Sequence, residues 1–469
     1  MTEDLPETAP LPAPSFLRHV NVVLATYAVD GALAFAQGAL VARALGPSGR
    51  GVYAIFVLSA GFAQLVLGLG IGSAAIYYIN RREMALRDIV AAAHVSVLWS
   101  LAVTAALVAA VAPFIGTGAI GGGVPVWLFI FAVPALVYSA ILRLILQGLS
   151  RFVEMGIATV IQPLVVLTLV AVAMGVGSPT PEQVIVFWTG AHVCVAGFAL
   201  LRIGLRNVDV AQIVRPRLAT IRRLARFGVQ GESGNALQML NYRLDQYIVR
   251  GFVGLAGVGI YAVGVSMSEA VFLLANAVAI VLVPRLTSAD PDEARAIAPV
   301  ACRNTMLVAA LGAAALAAAA AFVIPAVFGS GFRGSVQALW WLLPGTVALT
   351  GSKVLTSYIF SQGRPLVNTM ITVASLAVTL VALFVLVPAF GVNGAAGASS
   401  LAYTAHFCVA LYAYRRISGQ PVLGAVVPRA GDARLYIDAA RGVVSRFGRP
   451  SAAEPEAARP DGPYGRAGG

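Results

Sequence analysis

The stretch Gly46-Pro-Ser-Gly-Arg-Gly-Val-Tyr-Ala54 has a near copy 208 residues further on, Gly254-Leu-Ala-Gly-Val-Gly-Ile-Tyr-Ala262. Both spell G-x-x-G-x-G-[VI]-Y-A, and each separates two long apolar segments. Glycines at these spacings permit a tight turn, and the tyrosine enters the segment that follows. A shared pattern at matching places in two halves of a chain means duplication. A second echo agrees: Gln147-Gly148 and Gln362-Gly363 each precede a methionine, Met155 and Met370, by the same spacing.

Working outward, the chain is far too apolar for a soluble domain. Only 11% of its residues are charged, 59% are hydrophobic and the mean hydropathy is +0.85, where soluble domains carry about 25% charged residues. Apolar runs long enough to cross roughly 30 Å of hydrocarbon recur along it. They predict twelve spans, at 19–45, 52–79, 89–112, 125–147, 153–176, 184–203, 227–251, 258–284, 297–325, 335–361, 366–388 and 395–416. Backbone polar groups have no water partners in lipid and nothing alternates like barrel strands, so the spans are helices. The acidic, Pro-rich start lacks the positive region of a signal peptide, so the first span is expected to be retained.

The expectation is an all-α polytopic membrane protein of two six-helix lobes around a central cavity. Residues 1–18 form a leading segment, 19–203 the first lobe, 204–226 a basic linker, 227–416 the second lobe and 417–469 a tail. Six helices per lobe is an even number, so both lobes enter the membrane in the same sense and their symmetry axis lies along its normal. Arginines crowd alternate connections, among them Arg81, Arg82, Arg87, Arg151, Arg202, Arg222, Arg223, Arg226, Arg415 and Arg416. The connections between these hold little beyond Arg50 and Arg333. By the positive-inside rule both termini are cytoplasmic, in a bacterial cytoplasmic membrane. The same distribution accounts for the +12 net charge through anionic lipid, and no nucleic-acid module stands beside it.

Enzyme signatures are missing. G-x-x-G-x-G lacks the strand and βαβ unit of a dinucleotide site. Gly68-Leu-Gly-Ile-Gly72 lies inside the second span, where small residues let helices approach. Three cysteines and four histidines have no metal or redox spacing, so no metal and no cofactor is expected.

Ionisable residues at membrane depth stand out instead: Asp30, Arg143, Glu232, Arg243, Asp245, Glu269 and Lys353. At about 3 kcal/mol each, they would cost on the order of 20 kcal/mol facing lipid, so they face protein or water. At 100° per residue Glu232, Asn235, Arg243, Gln246 and Arg250 share one face of the seventh span, with Asp245 off it; Thr26, Asp30 and Gln37 share a face of the first. Facing these sides across the lobe interface makes a hydrated, charged cavity. Alternatively, Asp30, Glu232 and Arg243 form buried ion pairs that hold helix register. Lys353, the only lysine, suits a phosphate contact or a protonation step; alternatively it snorkels to the interface.

The paired Leu45–Ala54 and Val253–Ala262 stretches, Asn-Tyr-Arg-Leu-Asp-Gln at 241–246, and Val-Leu-Val-Pro-Arg-Leu at 281–286 resemble the polysaccharide repeat-unit flippases of the multidrug/oligosaccharidyl-lipid/polysaccharide (MOP) exporter superfamily. The resemblance spans about residues 15 to 418. It implies transport of undecaprenyl-diphosphate-linked oligosaccharide across the membrane by alternating access, with spans one, two, seven and eight lining the cavity. A polysaccharide polymerase and glycosyltransferases are the partners to expect. Residue by residue it carries over only to Asn241, Arg243 and Asp245. For such a cargo Arg143, Arg243 and Lys353 are the diphosphate candidates. Asn235, Gln238, Asn241, Tyr242 and Gln246 are candidates for sugar hydroxyls. Asp30, Glu232, Asp245 and Glu269 are candidates for a coupled proton or sodium ion. The alternatives are a flippase for the peptidoglycan lipid precursor and a cation-coupled multidrug or metabolite exporter. Cationic drugs would call for a net acidic, aromatic cavity, and here acids and bases balance. In the tail, 432–449 has the pattern of a helix lying on the membrane, and the remainder has a disordered composition.

Overall fold

The structure is a computed structural model, and it describes residues 13–115, 124–205, 208, 217–288, 290–429 and 431–432. Among these residues every regular element is helical. In chain order they are α1 (Ala13–Leu67), α2 (Ile71–Asn80), α3 (Leu86–Ile115), α4 (Leu128–Gly148), α5 (Phe152–Val176), α6 (Pro181–Ile203), α7 (Leu218–Phe252), α8 (Leu255–Ser288), α9 (Pro291–Phe328), α10 (Gly334–Ser361), α11 (Pro365–Ser418) and the short α12 (Leu423–Val426).

Eight helical segments are long and apolar enough to cross a membrane, those in α1 and α11 running to 40 and 54 residues. These two each hold a pair of expected spans, bent at Gly46 (φ 64°) and Gly391 (φ 57°). The left-handed φ is one that glycine adopts without Cβ strain, so each chain reversal needs no loop. With α7 and α10, which carry the most polar residues, the helices match the twelve expected spans. The protein is a multi-pass membrane protein.

Two boundaries differ from expectation. The second span breaks at Leu69 (φ 50°) and Gly70 (φ 63°), dividing it into the end of α1 and α2. A Cβ on Gly70 would run into the Gly228 backbone, and one on Gly228 into that of Gly70; this crossing needs the break. The expected linker is shorter, because α7 starts at Leu218 instead of 227. Ile221, Leu224 and Phe227 recur at helical spacing and pack on the core of the first half, with Leu224 fully buried, so this turn of helix is held by packing. Of the expected linker, residues 206–207 and 209–216 lie outside the described residues, as does the 432–449 helix beyond Asp432.

Contacts divide the chain into a compact unit, Met1–Val426, and a second unit, Val427–Gly469. In the second, the Arg429 amide donates to the Asp432 carboxylate at 2.9 Å. In the first, one hydrophobic cluster runs through residues 41–224. Three others belong mainly to the second half, reached from the first by Ala42 and Ile55.

The repeated motif is where the halves meet. A Cβ on Gly51 would run into the Leu255 carbonyl oxygen and stand 3.1 Å from Gly259 N; a Cβ on Gly259 would run into the Pro47 carbonyl oxygen and stand 3.1 Å from Gly51 N. Pro47 and Leu255 occupy the same place in the two copies, as do Gly51 and Gly259. The contact is therefore reciprocal, the pattern of a two-fold axis within one chain.

Candidate functional site

From the motif end, the second span and α7 run together to the arginine-rich end. Ser59 and Tyr247 hydroxyls lie 2.8 Å apart. Past the Gly70–Gly228 crossing, Ser73 donates to Glu232, Tyr77 stacks on Phe227 at 4.4 Å, and Arg223 pairs with Glu83 at 2.6 Å. The other seam, between the first span and α8–α9, is joined near the motif end by Ala42, by Phe35 against Phe328, and by Arg43, which donates to the Val327 carbonyl at 2.7 Å. Further from that end Val29 is 49% exposed.

In the second half lie two adjoining cavities. The larger, 310 Å³, is lined by Tyr242, Val265, Glu269, Phe272, Leu342 and Tyr403. The smaller, 200 Å³, is lined by Gln238, Tyr242, Lys353, Asn368, Thr372 and His406. Both are built by α7, α8, α10 and α11. Glu269 is about 20 Å along α8 at 1.5 Å per residue, which is mid-membrane depth. There Arg243 donates to Glu269 at 2.7 Å, with the two side chains 33% and 47% exposed. An ion pair this exposed at this depth is bathed in water, because lipid contact would cost several kcal/mol. The pair also leaves the larger cavity without net charge from these two residues. In the smaller cavity, among the described residues, no carboxylate lies within ion-pair distance of Lys353.

The structure sorts the expected site residues into three groups. Gln238, Tyr242, Arg243, Glu269 and Lys353 come together at the cavities, with Gln238 donating to the Tyr242 hydroxyl at 2.8 Å. Glu232 and Asn235 sit nearer the arginine-rich end, Asn235 donating to Glu232 at 3.0 Å. Asn241, Asp245 and Gln246 are buried, the first two on the side of α7 turned to α8 and α11. Asn241 accepts from Thr379 at 2.9 Å and donates to Ser375 at 3.3 Å. Asp245 accepts from Tyr261 at 2.5 Å, from Ser399 at 3.1 Å and from the Gln246 amide at 2.7 Å. These three line neither cavity. Asp30 and Arg143 lie together in the first half, where Arg143 is the electrostatic partner of both Asp30 and His192. The Thr26–Asp30–Gln37 face turns into its own half. Thr26 packs on Gly156, and Gln37 donates to the Tyr53 hydroxyl at 3.1 Å while accepting from Gln162 at 3.4 Å.

Sequence reasoning missed Tyr403, His406, Asn368 and Thr372, which no motif marks and which reach the cavities through helix packing alone. It also placed Arg50 in a loop. Arg50 is inside α1, half-buried, with its guanidinium 5.3 Å from the centre of the Tyr53 ring.

Against known proteins, the model of a family described as polysaccharide biosynthesis protein matches residues 16–289, more than half of the chain. The chain belongs to that family. No curated protein matches it. Among solved structures, a lipid II flippase, MurJ, in an inward closed conformation superposes with a TM-score of 0.68 at 11% identity, covering 92% of this chain and 93% of that one. An inward-facing multidrug resistance MATE family transporter of the MOP superfamily gives 0.62 at 16% identity, covering 83% and 94%. A MOP superfamily transporter from Pyrococcus furiosus gives 0.55 at 16% identity, covering 86% and 95%. At such identities the likeness is one of fold, and this member of the polysaccharide biosynthesis family has the fold of MOP transporters.

Proposed function

We propose that this family member is a flippase that carries undecaprenyl-diphosphate-linked oligosaccharide repeat units from the inner to the outer leaflet of the bacterial cytoplasmic membrane, for surface polysaccharide synthesis. The observation that carries the reading is a cavity at mid-membrane depth holding the Arg243–Glu269 ion pair, adjoined by one in which, among the described residues, Lys353 has no carboxylate within ion-pair distance. A phosphate-bearing headgroup needs such a space, because each charge would cost about 3 kcal/mol in hydrocarbon. Its polyprenyl tail needs none.

The arginine-rich end is cytoplasmic in this reading, so the motif crossing closes the outer side. In this reading the seam between the first span and α8–α9, beyond the contacts of Phe35 and Arg43 with α9, is the side door past which the tail stays in lipid. Lys353 holds phosphate by charge-assisted hydrogen bonds; Gln238, Asn368 and Thr372 meet hydroxyls, and Tyr242 and Tyr403 supply aromatic faces. Opening the motif crossing while the cytoplasmic side closes completes the cycle. Asp30 and Glu269 are the acids placed to carry a coupled ion; flux in proteoliposomes that is independent of an ion gradient counts against any coupling. Neutralisation of Glu269 by Arg243 argues against a cationic drug as cargo.

Depletion of the protein tests the reading. Undecaprenyl-diphosphate oligosaccharide should accumulate on the inner leaflet. Accumulation of the peptidoglycan precursor instead assigns the other lipid-linked cargo, and no accumulation of either rejects both.

A further inference from the structure

His406 has no part in the reading above, yet it lines the smaller cavity beside Lys353. Its Nδ1 lies 2.6 Å from the Ser352 hydroxyl, on the residue preceding Lys353. With Nδ1–H donating to that hydroxyl, the bond fixes the ring and leaves Nε2 as the nitrogen able to take up a proton. The ring is 4% exposed, so it meets only what enters this cavity.

From α10 the ring's charged neighbour is Lys353. From α7 come Gln238 and Tyr242, and from α8 Phe272, with Glu269 in the adjoining cavity already held by Arg243. The earlier part of α11 presents Asn368 and Thr372, and Tyr403 lies one turn away on the ring's own helix. Behind α10, on α9, Cys302 donates its thiol to the Gly351 carbonyl at 3.6 Å. Among the described residues lining this cavity there is no carboxylate. Lys353 disfavours a second positive charge on the ring while the cavity is empty. A polyanion entering beside both groups reverses that balance.

The first half carries the same pairing with a different outcome. Ser139 on α4 lies 3.0 Å from His192 Nδ1 on α6, and Arg143 is the neighbouring cation, but there a carboxylate, Asp30, also lies within electrostatic reach of that cation. Lys353, beside His406, has no carboxylate within ion-pair distance among the described residues.

We infer that the Lys353–His406 cavity is a proton-linked anion site: a diphosphate-type group binds at Lys353, and His406 takes up one proton from cavity water as it binds. The inference rests on the anionic cargo proposed above and adds a regulated stoichiometry to it. The headgroup then crosses with one more of its charges neutralised, which matters where each costs about 3 kcal/mol. Anion affinity falls as pH rises, because the neutral ring no longer contributes.

The test is calorimetry of the full chain in detergent with inorganic pyrophosphate, in buffers of different ionisation enthalpy between about pH 6 and pH 8. Pyrophosphate's own titration is shared by all variants, so differences between them belong to the protein. Wild type should take up about one proton more per anion than His406→Gln, and its affinity should fall more steeply with pH, by up to about tenfold per unit. Lys353→Gln should bind at least tenfold more weakly, and Lys353→Arg should keep binding, which separates lost charge from lost folding. If wild type and His406→Gln bind with equal proton uptake, the linkage is overturned while the anionic cargo stands. Unchanged binding by Lys353→Gln moves the anion elsewhere and overturns the site. If wild type binds no pyrophosphate, the diphosphate reading of the cargo fails as well.

Discussion

The two lobes are copies that have kept their scaffold and exchanged their charges. In the first, Gln37 donates to Tyr53; in the second, Asp245 accepts from Tyr261. Both pairs are sixteen residues apart and both tyrosines come from the repeated motif. Ser139 with His192, and Ser352 with His406, bridge corresponding helices of each lobe. Around this shared frame the first lobe placed Arg50 where the second has Val258, and a neutral Gln37 where the second has a carboxylate. The second lobe alone builds the two cavities. Duplication thus supplied a symmetric crossing, and divergence of a few buried polar residues accompanies cavities lined by one lobe.

That contrast can be broken most sharply at its buried pairs. Asp245→Ala leaves the Tyr261 and Ser399 hydroxyls without an acceptor they now share, and should cost about 3 kcal/mol, whereas Gln37→Ala should cost about 1 kcal/mol. Melting of the purified protein in detergent would show a clearly larger drop for Asp245→Ala. Equal drops would mean that the two lobes are energetically alike.

The motif crossing sharpens the symmetry itself. Gly51→Ala and Gly259→Ala each drive a methyl into a backbone carbonyl across the axis, and each should disfavour the state closed at the motif end by about 2 kcal/mol, in the range of local backbone strain. A thiol-reactive probe applied from the motif side to a cysteine introduced beneath the crossing should label both variants faster, and to a similar degree. A large difference between them would show that the reciprocal contact is not energetically reciprocal.

A smaller effect is expected at the exposed ion pair of the second lobe. Arg243→Gln turns the larger cavity acidic and should lower flux of an anionic headgroup about tenfold, which is 1.4 kcal/mol in the barrier. Adding Glu269→Gln should restore most of it. Failure of that rescue would assign Arg243 a direct contact that Lys353 does not replace. The smallest change is Arg223→Ala at the arginine-rich end, which removes a half-exposed pair with Glu83 and should shift stability by less than about 1 kcal/mol.

Helix positions and the duplication were readable because they depend on local periodicity. The Gly46 bend needed only a glycine at the right place between two apolar runs, and the polar load of α7 marked it as shielded from lipid. Its helical wheel correctly set Asp245 apart from Arg243. It put Gln246 on the Arg243 face, where the structure buries it away from both cavities, and could not place Asn241, because a wheel gives angles between residues but not which angle faces the cavity. Asn241 ended on Thr379 and Ser375, and that depended on where α11 docks. The Thr26–Asp30–Gln37 face was legible as polar, and it faces inward to α5 for the same kind of reason. His406 was invisible as a site residue, since its partner Ser352 lies 54 residues away on another helix and sequence distance between packed helices carries no chemical meaning.

By itself, then, the sequence determined that this protein is a duplicated bundle of membrane-spanning helices with charges that must be hidden from lipid. Hydrophobic length and the cost of a bare charge in hydrocarbon act on short stretches of chain. Only the tertiary structure decided that the two motif copies cross each other, and that Lys353 and His406 meet in one cavity while Asp245 is sealed beneath Tyr261. Those outcomes depend on how helices rotate and approach, which is set by close packing summed over the whole bundle.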